Sequence, residues 1–163
     1  MEDKVKKKGI VIPYNVVDNE HSLANVIPME CVICGMKASC FQDAVEQIVH
    51  RLYDGGYVKS YKDCVNAIME RERRMSTSLE EGVDFPHART AAAIRLVSSI
   101  ALCDFSDLNQ RHIIVLTVAP LEVDCPYMQY IGYMASRLYA LDNRERLLRI
   151  SSSEELRAWL LER

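Results

Sequence analysis

Residues 70–90, Glu-Arg-Glu-Arg-Arg-Met-Ser-Thr-Ser-Leu-Glu-Glu-Gly-Val-Asp-Phe-Pro-His-Ala-Arg-Thr, hold the densest set of side chains able to do chemistry. His87 follows Pro86 directly and precedes Ala88 and Arg89, while Arg71 lies 16 residues upstream beside Glu72. Between them, Ser76-Thr77-Ser78 to Gly82 reads as a polar loop. An imidazole in a Pro-His turn framed by arginines suits the acceptance of a phosphoryl group. The ring is the nucleophile, and the guanidinium groups offset the charge of what it receives. That task needs a neutral, unhindered acceptor nitrogen, with the other ring nitrogen held by a hydrogen bond that sets the tautomer. Pro86 limits backbone freedom and favours a fixed ring direction. Arg71 and Arg89 can pair with phosphate oxygens, and Thr77 can donate a hydroxyl. The bland alternative makes His87 a structural turn histidine and Arg71 part of a solvated helix end, its charge complementing the helix dipole. For Arg73 and Arg74 that is the preferred reading. His21, His50 and His112 stand isolated and read as structural.

The elements that would position these residues follow from periodicity and punctuation. Ser39 is the expected N-cap of a first long helix. Its apolar positions Phe41, Ala44, Val45, Ile48, Val49 and Leu52 repeat at helical spacing, and Gly55-Gly56 ends it. Ser60 opens a second helix that buries Cys64, Val65, Ile68 and Met69 and carries Arg71 near its C-terminal end. Ile94 to Ala101 has strand composition with imperfect alternation. His112 to Val118, HIIVLTV, is a nearly continuous apolar run that fits a central strand. Tyr127 to Leu141 is helical in spacing, and Tyr127, Tyr130 and Tyr133 form a core or interface stripe rather than a ligand platform. Ser152-x-x-Glu155 is a capping box that opens a last helix. Helices alternating with strands predict an α/β fold. The expected architecture is a single domain over 22–163, a central mixed β-sheet with α-helices on both faces, preceded by a tail or extra strand over 1–21 (Ile10 to Ile12).

Composition narrows the classes of function. At 163 residues, with 49% hydrophobic and 26% charged side chains, the chain has the makings of one globular core. A net charge of -3 gives no overall nucleic-acid footprint. The run Lys4 to Lys8 reads as a solvated tail. No apolar stretch reaches the ~18 residues of a membrane helix, and no signal-peptide core is seen, so a cytoplasmic location without direct membrane insertion is expected. The six cysteines are Cys31, Cys34, Cys40, Cys64, Cys103 and Cys125. They read as reduced thiols. Cys31-x-x-Cys34 is half of a zinc site with nothing to complete it, so a zinc or redox protein remains only a remote third idea.

Arg71, Glu72, Thr77, Leu79, Gly82, Pro86, His87 and Arg89, at these spacings, resemble the EIIA domains of the bacterial phosphotransferase system, type 2. That group comprises the fructose/mannitol type and its nitrogen-regulatory relatives, and the resemblance extends over roughly residues 22–163. Ala44 to Gly56 looks like the family's first helix, the stretch from Tyr127 to Ala135 like its later helix, and Ser151 to Leu161 like its C-terminal helix. The resemblance implies that His87 is the phosphoacceptor. An HPr-like phosphocarrier would be the donor, and an EIIB-type domain or a regulatory target the acceptor. Arg71 would help to bind the phosphate. No cofactor and no metal are implied. In three places the chain departs from the family's pattern. Tyr127, followed by Met128, stands where a second active-site histidine and a leucine are usual. Asp84 replaces a small apolar residue, and is expected either to orient the His87 ring or to repel phosphate. Glu80, beside Glu81, replaces a glycine. Two functions therefore stand: a stand-alone phosphocarrier, or a partly degenerate EIIA fold serving as a regulatory protein-binding module with weak or no transfer.

Overall fold

The apolar run that reads as a central strand is the pivot of the fold. In the computed structural model it is β6, Gln110–Ala119, and three other strands hydrogen-bond to it. The structure describes residues 12–15, 20–80, 82–106, 110–122 and 125–162, without the side chains of 78–80. The Lys4 to Lys8 run, Ile10 and Glu81, and the side chains of Leu79 and Glu80, lie outside the described residues.

Among the described residues six strands form one mixed sheet in the order β1-β5-β6-β3-β2, with β4 also beside β6. β1 (Val32–Ala38) runs parallel to β5 (Val97–Phe105), and β5 runs antiparallel to β6. β3 (Val83–Asp84) and β4 (His87–Arg89) run parallel to β6, while the edge strand β2 (Ser78–Glu80) is antiparallel to β3. Helices cover both faces, as expected. α2 (Phe41–Asp54) and α3 (Tyr61–Arg74) bury Ala44, Val45, Ile48, Leu52, Cys64 and Ile68 against Ala101, Cys103, Ile114 and Leu116. On the other face are α1 (Leu23–Val26), α4 (Tyr127–Tyr139), α5 (Leu141–Leu148) and α6 (Ser153–Leu160). They pack Val26, Tyr130, Met134, Leu138, Leu147 and Trp159 onto Ile100, Leu102, Ile113 and Val115. Both central strands are buried on both faces, so their sequences read as apolar runs rather than alternations.

Several expectations are corrected in detail. The N-cap of α2 is Cys40, whose sulfur accepts from the Asp43 amide; Ser39 lies one residue earlier and donates its amide and hydroxyl to the Asp43 carboxylate. The strand expected from Ile94 starts at Val97, leaving Ile94 51% exposed, because its amide is taken by the Tyr57 carbonyl outside the sheet. The helix from Tyr127 stops at Tyr139, and an unexpected helix, α5, begins at Leu141 after the extended Ala140. Part of the polar stretch read as loop forms β2. Gly82 is the turn from β2 to β3, at φ +80, and its carbonyl accepts from the Ile113 amide. That left-handed conformation is why a glycine is needed there. Ser60 and Ser152 cap α3 and α6 as read from sequence.

Cys31 and Cys34 fall on opposite faces of the sheet, Cys31 in the α2/α3 core and Cys34 against the α6 side. Cys31 ends a 3-10 turn, Met29–Cys31, just before β1, and the sheet lies between it and Cys34, so this pair cannot form a disulfide or a shared metal edge.

Candidate functional site

Pro86 sets the geometry around His87. β3 and β4 both lie along the same edge of β6, pairing with Ile113–Ile114 and Thr117–Ala119. Phe85 and Pro86 fall between them. A proline has no amide to continue the ladder, so the strand breaks there, although the Pro86 carbonyl still accepts from the Thr117 amide at 3.0 Å. Phe85, outside both strands, offers its carbonyl to the imidazole: His87 Nδ1 lies 2.7 Å from the Phe85 oxygen. A carbonyl can only accept, so Nδ1 carries the proton and Nε2 holds the free lone pair. Burial pushes the His87 pKa below the usual histidine range, and the Arg71 charge adds to this. The Phe85 hydrogen bond and Glu72 pull the other way. The ring is therefore a neutral imidazole at neutral pH with one nucleophilic nitrogen.

The side chains around it come from three elements. The last turn of α3 brings Arg71, which also donates to the Met75 carbonyl at 3.3 Å. Its charge acts on both His87 and Tyr127. Strand alternation places Arg89 on the same face of β4 as His87, with Ala88 turned into the opposite core. The first residue of α4 is Tyr127, whose ring centroid lies 6.2 Å from that of His87 and beneath the Arg89 guanidinium at 4.9 Å. Burial raises the Tyr127 hydroxyl to about 12, so it stays protonated. His87, Arg71, Arg89 and Tyr127 are thus brought together, although 56 residues (127 minus 71) separate the first from the last.

Thr77 takes a different part. Its hydroxyl donates to Glu72 Oε2 at 2.5 Å, and its amide reaches both Glu72 oxygens at 3.2 Å. It ties down the turn that follows Arg71 and presents no free hydroxyl to a phosphate in this structure. Asp84 does not orient His87. It pairs with Ile114, whose side chain faces α2 and α3, and His112 Nδ1 donates to its carboxylate at 3.2 Å on that face. Three details were not foreseen: the Phe85 carbonyl, the Glu72–Thr77 clasp and the Arg89–Tyr127 stack. The first is a backbone group and leaves no mark in a sequence. The clasp joins residues five apart and is legible in principle from their types, whereas the stack needs the tertiary fold.

Comparison with known proteins shows the family of the chain. The family described as "Phosphoenolpyruvate-dependent sugar phosphotransferase system, EIIA 2" matches residues 25–163. The chain belongs to this family. Among curated relatives, the "PTS system fructose-specific EIIA component" of Haloferax volcanii is 22% identical over 146 residues, covering 86% of this chain and 95% of that protein. The "PTS system mannitol-specific EIICBA component" of Pasteurella multocida is 26% identical over 141 residues, covering 82% of this chain but 22% of that longer protein. Among solved structures, the nitrogen regulatory protein IIA-Ntr of Neisseria meningitidis superposes with a TM-score of 0.70 at 22% identity, covering 85% of this chain and 98% of that one. IIA mannitol of Escherichia coli gives 0.65 at 21% identity, covering 82% and 97%. These structures share the fold. Membership of the EIIA family supports a phosphocarrier role and implies interaction with phosphocarrier and EIIB components. No helix among the described residues is long and apolar enough to cross a membrane.

Proposed function

We propose that this EIIA protein accepts a phosphoryl group on Nε2 of His87 from an HPr-like donor in the cytoplasm. It then passes the group to an EIIB-type acceptor, or uses its phosphorylation state for regulation. The observation that carries this reading is the Nδ1–Phe85 hydrogen bond, which leaves Nε2 as the free, neutral nucleophile. In the transfer the Nε2–phosphorus bond forms as the donor's phosphorus–nitrogen bond breaks, and the electron pair of the broken bond stays on the donor imidazole. Onward transfer reverses this at Nε2. Arg71 and Arg89 offset the charge on the phosphoryl oxygens, the main electrostatic demand of such a reaction. Thr77 contributes through Glu72, by holding the turn that follows Arg71.

A second reading, a regulatory binding module with little transfer, draws on Tyr127 where the family pattern has a histidine. One experiment separates the two. The purified chain is incubated with the general phosphotransferase enzyme EI, HPr and labelled phosphoenolpyruvate, beside His87→Ala. Acid-labile label on the wild type that is missing from the variant supports the phosphocarrier. A folded wild type that takes no label from its cognate HPr leaves the binding module as the function.

A further inference from the structure

We propose that Tyr127 is a positioning residue: its ring carries the Arg89 guanidinium and holds it ready for the phosphoryl group received at His87 Nε2. The inference rests on the phosphoacceptor reading of His87. Arg89 Cζ lies 4.9 Å from the centroid of the Tyr127 ring, and that ring lies 6.2 Å from the imidazole at an interplanar angle of 55°. Tyr127 is only 6% exposed, so its ring is a fixed plate, whereas the arginine resting on it is half-buried. A stacked guanidinium uses its face for the ring and keeps its N–H edge for oxygen acceptors. An arginine left free in solvent would have to be ordered when phosphate arrives; the stack orders it beforehand.

The choice of tyrosine has a second consequence. The ring stays neutral, since burial raises its hydroxyl to about 12. A histidine at this position would gain charge on acidification and repel Arg89. Tyr127 itself exchanges neither a proton nor an electron pair in the transfer. It acts through Arg89.

The test uses phosphoramidate, a small chemical donor that needs no protein partner. Nε2 attacks its phosphorus, the phosphorus–nitrogen bond breaks, and ammonia leaves. Phosphohistidine formation is followed by 31P NMR for the intact wild type, Tyr127→Leu, Tyr127→Phe, Tyr127→His, Arg89→Lys and the Tyr127→Leu/Arg89→Lys double variant, with thermal midpoints as the check on folding. Tyr127→Leu is expected to slow labelling about tenfold, and Tyr127→Phe, which keeps the ring, to restore most of that rate. The double variant should be no slower than the slower single one, because both remove the same contact. Between about pH 5 and 8 Tyr127→His should add a second ionisation to the rate profile. Labelling of folded Tyr127→Leu at the wild-type rate overturns the inference, as do multiplicative losses in the double variant. Tyr127→Phe as slow as Tyr127→Leu also overturns it and assigns the role to the hydroxyl. A wild type that phosphoramidate does not label at His87 sinks the acceptor reading and this inference together. Labelling by phosphoramidate but not by HPr would count against the carrier function alone, and the comparison of variants would still decide the role of Tyr127.

Discussion

The hydrogen bond from His87 Nδ1 to the Phe85 carbonyl ties the tautomer to the backbone rather than to another side chain. It therefore keeps its geometry whatever the neighbouring carboxylates do. The imidazole is held neutral by burial, with Arg71 adding to the effect. This has a consequence for stability with a definite sign. A group with a folded pKa below its unfolded value binds fewer protons when folded, so stability rises with pH between the two values. The contribution of His87 is full above the ordinary imidazole range near pH ~6.5. It is lost as pH falls toward the depressed folded value. Relative to His87→Gln, the wild type should lose stability on going from about pH 7.5 to 5.5, read as the change in the difference between their urea midpoints. An unchanged difference would mean that the ring is not held neutral.

Among the elements, α4 links the site to the rest of the molecule. Its first residue is Tyr127, and nearly three turns further on it carries Arg137, which is 5% exposed. Arg137 donates to the carbonyls of Leu160 at 2.9 Å and Trp159 at 2.7 Å, and its guanidinium lies 3.8 Å from the centroid of the Trp159 ring. One side chain thereby satisfies the C-terminal carbonyls of α6 and anchors that helix to α4. Arg137→Leu should cost about 2–4 kcal/mol, since two charge-assisted bonds are lost and a buried carbonyl is left with poorer partners. Chemical denaturation of the variant checks this. A loss below about 0.5 kcal/mol would put the arginine among ordinary surface residues. The site residues on β4 and α3 should keep their arrangement, because the bonds of the Arg137 side chain run to α4 and α6.

Across the whole molecule, the sheet separates what the chain places side by side, and this shows in its thiols. Burial pushes Cys31 and Cys64 up to about 12 and Cys103 to about 11, whereas Cys40 is exposed at the start of α2. A thiol reagent applied to the native chain should modify Cys40 first and reach Cys31, Cys64 and Cys103 only on unfolding, as peptide mapping of the labelled protein would show. Rapid native labelling of Cys103 would contradict the packing of β5. The same separation marks the limit of sequence reading here. The order of residue types around His87, the caps at Ser60 and Ser152, the apolar run of β6 and the alternation of helices and strands are local properties. A proline, a glycine or a run of valines and isoleucines carries its conformational preference wherever it lies, so the α/β class and the candidate acceptor were legible at once. The ends of β5 and the break between α4 and α5 were not, because they depend on which backbone groups find partners outside the element. Nor was the direction of Asp84, which lies only three residues from His87 and yet sits on the opposite face. Its side depends on pairing with β6, a contact made across a large gap in sequence. The chain by itself determined which groups are present to accept and bind a phosphoryl group. Tertiary structure alone decided which of them face the imidazole, because facing is settled by strand register and by the meeting of α3, β4 and α4.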